Sequence, residues 1–153
     1  MRDALNSTGR QIYFSLCGWN DWYAPEGASL GNSWRIAGDC NGWDTVYNAI
    51  RTNEPLWKFA RIGAPFSLPP FIPMHLPLLT RLHQLPFSGA WNDPDMLVGS
   101  SPQAAVYNTP DQARSQFSLW SVMAAPLLIG SNILNLSAWD FETYTNREVR
   151  SDT

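Results

Sequence analysis

The sequence predicts a parallel α/β fold, and three observations carry that reading. Gln11 to Cys17, Q-I-Y-F-S-L-C, is rich in aromatic and branched residues and largely apolar on both faces, as expected of a strand in a sheet covered on both sides. Thr109-Pro110-Asp111 is a helix start, with Thr as N-cap, Pro in the first turn and an acid beside the positive end of the helix dipole. Strand-like and helix-like stretches alternate along the chain, the order in which crossover helices connect parallel strands.

Residues 1–8 read as a helix tail stopped by Gly9 at a C-cap position. The Gln11 to Cys17 strand then leads into Gly18-Trp19-Asn20-Asp21-Trp22-Tyr23-Ala24-Pro25, a polar and aromatic loop. In parallel barrels such loops, leaving the C-terminal ends of strands, build the sites. A second short strand is expected over Trp34 to Ala37, followed by a Gly38-Asp39 turn. Trp43 to Arg51 is helix-like, with Trp43, Val46 and Ile50 towards one side; Asn53 and Pro55 interrupt it, and Leu56 to Ala60 forms a second helical piece. After Gly89, Trp91 to Val98 is a strand carrying two acids around Pro94. The helix beginning at Thr109 runs to about Ala124, placing Ala113, Phe117, Trp120 and Ala124 on one face, and Pro126 stops it. Leu127 to Gly130 is a short buried strand closed by a Ser131-Asn132 turn, and Ser137 caps a last helix reaching to about Arg147.

Residues 61–88 break this pattern. They hold six of the twelve prolines and both histidines, with no acidic residue. The prolines preclude a regular helix or central strand, yet the segment is too apolar for a typical disordered linker. Compact domains seldom carry so long a connection without structure. The chain therefore divides into barrel-like segments 1–60 and 89–153, separated by a proline-rich insertion foreign to the fold. That insertion is either a lineage-specific loop or an error of gene structure. His75 and His83 lie in it without carboxylate or thiol neighbours, so they make no metal signature.

The 153 residues suffice for one domain with a real core. A net charge of −3 gives no electrostatic reason to expect nucleic acid or an anionic membrane as partner. Charged residues are only 15% of the chain, and eight are tryptophan, a composition that suits cores, interfaces and sugar clefts alike. Two cysteines, Cys17 and Cys40, make neither a zinc signature nor a disulfide framework, and whether they pair stays open. Asn6-Ser7-Thr8 and Asn135-Leu136-Ser137 fit the glycosylation sequon, a triplet frequent by chance. No apolar run is long enough to span a bilayer, and no signal peptide follows Met1.

The chemistry concentrates in Gly31 to Asp44, G-N-S-W-R-I-A-G-D-C-N-G-W-D. Asp39, on a glycine turn between Trp34 and Trp43, is placed to be partly desolvated, which raises a carboxyl pKa and suits it to donate a proton. Arg35, four residues earlier, either opposes that shift or holds a ligand hydroxyl. The same residues would also make an ordinary ion pair on a surface turn. Asp93 and Asp95 end the next strand, where converging carboxylates serve glycoside hydrolysis or simply bind backbone amides.

The succession I-Y-F-S-L-C-G-W, G-N-S-W-R-I-A-G-D, G-A-W-N-D-P-D-M-L and F-S-L-W-S-V-M-A-A-P-L-L-I-G-S resembles the α-galactosidase family, glycoside hydrolase family 27. The resemblance covers residues 1–60 and 89–153. It implies part of a (β/α)8 TIM barrel, roughly strands five to eight, acting on terminal α-galactosides with retention and without metal or organic cofactor. Asp39 then falls on the family's general acid/base in its W-R-x-x-x-D pattern, and Arg35 on the arginine that holds a sugar hydroxyl. Gly18 and Trp19 fall in the loop that recognises the substituent at the sugar's second carbon. Asp95 and Met96 fall on the pocket floor.

Two departures matter. The family's nucleophile is an aspartate in a K-x-D motif on strand four, and the one lysine here, Lys58, is followed by Phe59 and Ala60. The segment is therefore expected to be inactive alone and to need the other barrel half. Many members also carry Glu where this chain has Gly18, so galactose, though favoured, is not separated from its 2-acetamido relative. A non-catalytic galactose-binding protein and a truncated or mis-spliced gene product are the rival readings. The family's location, secreted or lysosomal/vacuolar, is expected of the full-length protein.

Overall fold

A computed structural model describes residues 1–60, 89–100 and 108–146. Among them a three-stranded parallel sheet has the order β1 (Ser15–Leu16), β2 (Ser33–Arg35), β3 (Trp91–Asp93), so spatial order follows chain order. The register pairs Ser15 with Ser33 and Leu16 with Trp34, then Ser33 with Trp91, Trp34 with Asn92 and Arg35 with Asp93. The helices are α1 (Arg2–Asn6), α2 (Ala24–Leu30), α3 (Trp43–Asn53), α4 (Pro110–Val122) and α5 (Ala138–Tyr144), with 3-10 turns at Glu54–Phe59 and Ile133–Asn135.

The core lies against β2, whose three residues are all buried. Trp34 is fully buried and its Nε1 donates to Asn92 Oδ1 at 2.8 Å, tying β2 to β3 through side chains as well as backbone. Asn92 Nδ2 in turn donates to the Leu56 carbonyl at 2.9 Å. Helix α2 packs on the same indole through Gly27: a Cβ there would stand 2.2 Å from the ring. Ile36, Val46 and Ala49 fill the space between β2 and α3, and Leu97, Phe117 and Trp120 extend the core under α4.

Helix α4 starts as its sequence dictates. Thr109 Oγ1 accepts from the Gln112 amide (3.3 Å) and Gln112 Oε1 accepts from the Thr109 amide (2.9 Å), a reciprocal capping box. It ends one turn short of Pro126, where Ala124 adopts φ +50° and the Ala125 amide donates back to the Trp120 carbonyl at 2.9 Å. Ser137 caps α5, accepting from the Asp140 amide at 3.0 Å.

Four expectations change. The strand expected over Trp91 to Val98 pairs with β2 only over Trp91 to Asp93, where Pro94 ends it. The strand expected over Gln11 to Cys17 pairs only at Ser15 and Leu16 and is mostly exposed, because β1 is the sheet's edge and no other described strand covers its free side. The strand expected over Leu127 to Gly130 is reduced to one parallel bridge, Leu97 with Ile129. The loop expected over Gly18 to Pro25 ends early: helix α2 begins at Ala24. The insertion at 61–88, with His75 and His83, and the expected end of the last helix at Arg147 lie outside the described residues.

Candidate active site

Arg35 is the last residue of β2 and Asp93 the last of β3, so both stand at the C-terminal ends of parallel strands. The Arg35 guanidinium lies between two carboxylates: Nη1 is 2.9 Å from Asp95 Oδ1, and Nη2 is 3.2 Å from Asp39 Oδ1. Nη2 also donates to the Ala37 carbonyl at 3.2 Å, while Nε is buried without a partner among the described residues.

The two acids differ sharply in setting. The Asp95 side chain is 5% exposed and that of Asp39 is 76% exposed. Asp95 Oδ2 accepts from the Cys40 amide at 2.6 Å, so both of its oxygens are engaged. Its backbone sits at φ +100°, a conformation that costs a non-glycine residue about 1–3 kcal/mol unless its surroundings hold it. They do: its amide donates to Asp93 Oδ1 at 2.9 Å, and its carbonyl accepts from Trp120 Nε1 at 2.6 Å. Burial pushes the Asp93 carboxyl up, against the lowering effects of that amide and of Arg35. Cys40 seals the contact, its thiol on the Pro94 carbonyl at 3.4 Å; burial pushes that thiol up to about 12, so it is not a thiolate at neutral pH.

The expected desolvation of Asp39 by its flanking tryptophans is not met. Trp34 points into the core and Trp43 opens α3 against it, so the Gly38-Asp39 turn projects alone beyond β2. Gly18 and Trp19 follow β1, with Trp19 at φ +53° and 63% exposed; Trp22 is 73% exposed and meets Tyr23 edge-on at 5.0 Å between ring centroids. Met96 is exposed beside Gly130, and its carbonyl accepts from Gln116 Nε2 at 3.1 Å. The structure thus brings Arg35, Asp39 and Asp95 together directly and sets Gly18 and Trp19 on the neighbouring strand's loop. Cys17 and Cys40 are both free thiols.

Sequence reasoning missed two members of this arrangement. Tyr23 donates its hydroxyl to the Arg35 carbonyl at 2.9 Å, and the Cys40 amide orients Asp95. Only Tyr23 had a readable cue: it directly precedes Ala24-Pro25, and Pro25 in a first turn marks a helix start.

An exposed acid, a buried arginine–carboxylate pair and exposed indoles stand at the C-terminal ends of parallel strands, the end at which parallel barrels build their sites. Residues 1–151 match the family model described as alpha galactosidase A. The chain is 36% identical to alpha-galactosidase 3 of Arabidopsis thaliana over 151 residues, covering 97% of this chain and 28% of that protein. It is 34% identical to alpha-galactosidase 1 of Saccharomyces cerevisiae over 154 residues, covering 97% of this chain and 30% of the relative. Among solved structures, the S. cerevisiae α-galactosidase with raffinose superposes with a TM-score of 0.65 at 25% identity, covering 98% of this chain and 32% of that one. A family 27 β-L-arabinopyranosidase from Geobacillus stearothermophilus shares the fold, with a TM-score of 0.70 at 20% identity over 97% of this chain and 31% of that one. The chain belongs to the α-galactosidase family, glycoside hydrolase family 27. It spans about 30% of the relatives it matches, and its small parallel sheet with flanking helices is consistent with part of a TIM barrel.

Proposed function

We propose that this segment supplies the acid/base half of a retaining α-galactosidase. The observation that carries the reading is Arg35 held between buried Asp95 and exposed Asp39 at the ends of β2 and β3, in a chain of this family. In this reading β1, β2 and β3 are barrel strands five, six and seven, Leu127 to Gly130 belongs to strand eight, and residues 61–88 are an insertion in the sequence between strands six and seven; the parallel pairing of β1 with β2 and β2 with β3 supports it. Asp39 protonates the departing glycosidic oxygen, then takes a proton from the water that releases the sugar. The attacking aspartate comes from outside these 153 residues and stands about 5 Å from Asp39, the separation that retention requires. Arg35 binds a sugar hydroxyl, Gly18 and Trp19 border the second carbon, and Asp95 with Met96 forms the floor. The substrate is a terminal α-D-galactoside; galactose is preferred to its 2-acetamido relative, and the full-length protein is secreted or vacuolar.

In the complete protein, Asp39→Asn is expected to lower turnover of an unactivated α-galactoside by about two to four orders of magnitude. Near-normal hydrolysis by that variant overturns the assignment. The isolated 153 residues are expected to show no turnover of an aryl α-galactoside, and clear Asp39-dependent turnover would refute an external nucleophile.

A further inference from the structure

We infer that Tyr23 is a positioning residue for Arg35, a hydroxyl inserted into the sheet ladder at the point where β1 leaves it. The register fixes the point. With Leu16 opposite Trp34, the next rung of a parallel ladder would run from the Gly18 amide to the Arg35 carbonyl. Arg35 C=O and Ile36 N–H belong to one peptide and point to opposite sides; the Ile36 amide donates to the Asp93 carbonyl at 3.0 Å, so the Arg35 carbonyl faces β1. Among the described residues no β1 amide donates to it there; the Tyr23 hydroxyl does, at 2.9 Å. The Gly18 amide faces the same hydroxyl and opposes the upward push of burial on it.

The ring fills the place of a side chain on residue 18. A Cβ on Gly18 would stand 2.6 Å from both Tyr23 Cε1 and its hydroxyl oxygen. A side chain on residue 18 and the Tyr23 ring in this place therefore exclude each other, and one of them must shift. The wedge spaces the ends of β1 and β2 and holds the peptide from which the arginine projects between its two carboxylates. Tyr23 touches no reacting atom and acts through Arg35, so its effect rests on the role proposed for that arginine.

The test is a double-mutant cycle in the complete protein on an aryl α-galactoside. Tyr23→Phe keeps the ring and removes the donor; KM is expected to rise roughly three- to tenfold with kcat little changed, the size of one lost hydrogen bond in ground-state binding. In an Arg35→Lys background the same change is expected to have no further effect on KM. Gly18→Ala, which drives the ring off the carbonyl from the other side, is read without substrate because residue 18 borders the sugar: it is expected to quicken exchange of the Ile36 amide as Tyr23→Phe does, and serves if Tyr23→Phe does not fold. A rise of equal size in both backgrounds, or none in either, overturns the inference. The exchange rate of the Ile36 amide, read without substrate, is expected to quicken in Tyr23→Phe, and an unchanged rate overturns it too. If the wild type hydrolyses no α-galactoside, the functional proposal is what fails, and this exchange rate still decides the role of Tyr23.

Discussion

Two carboxylates share one guanidinium here, and they have opposite surroundings. Asp95 is buried, fully hydrogen-bonded and strained in its backbone; Asp39, on the other side of Arg35, is exposed on a free turn. A carboxylate with both oxygens engaged, on a backbone pinned at its amide and its carbonyl, is architecture: it fixes where Arg35 stands. A charge that keeps one oxygen near the arginine and the rest of its surface open can exchange protons with a ligand. Burial separates the support from the acid proposed as proton donor, although both acids lie within salt-bridge distance of the same side chain.

The comparison predicts that the two acids fail differently. Asp95→Ala leaves Arg35 only the exposed Asp39 as counter-charge and the Cys40 amide without its acceptor, and is expected to cost up to about 3–5 kcal/mol in denaturant unfolding of the protein. A loss below about 1 kcal/mol would dissolve the distinction. Asp93, the acceptor that holds the Asp95 amide, gives a subtler effect. Its folded-state pKa lies above 3.8, chiefly through burial, so the native protein keeps a proton that the unfolded chain has released. Stability linked to this group is therefore present at low pH and falls as pH climbs from 3.8 through the folded value. Asp93→Asn keeps an acceptor and removes that slope, so its stability relative to wild type should rise across this interval. A constant difference between unfolding curves at about pH 4 and about pH 6.5 would contradict it. The smallest effect belongs to Asp39: Asp39→Asn is expected to change stability by less than about 1 kcal/mol, and that small difference should shrink with added salt.

How much of this was legible in the sequence depended on whether the signal was local. The start of α4 was readable to the residue because Thr109, Pro110 and Gln112 satisfy one another within a single turn. Ser137 was readable for the same reason. The Arg35–Asp39 pair, four residues apart, was visible as a pair. Helix α2 was missed because Gly27 spoils its helical pattern, and Gly27 is there to let Trp34 approach. The burial of Asp95 was invisible, since its partners Cys40 and Trp120 lie 55 positions before and 25 after it. Trp34 and Trp43 misled: adjacent to Asp39 in sequence, they turn into the core and leave the acid in solvent. The apolar run at Gln11 to Cys17 overstated β1 because hydrophobicity records a sheet's need for neighbours, and the described residues supply only one.

The Arg35–Asp95 contact also bears on how such a barrel can be cut and rejoined. It joins residues 60 positions apart, one from each of two successive strand–helix units, with residues 61–88 between them. A crossover between genes anywhere in that interval would unite an arginine from one parent with an aspartate from another, and any mismatch would strand a buried charge. A crossover ahead of β1 leaves the pair intact. Recombinants of this family should therefore tolerate junctions before residue 11 far better than junctions between residues 40 and 90.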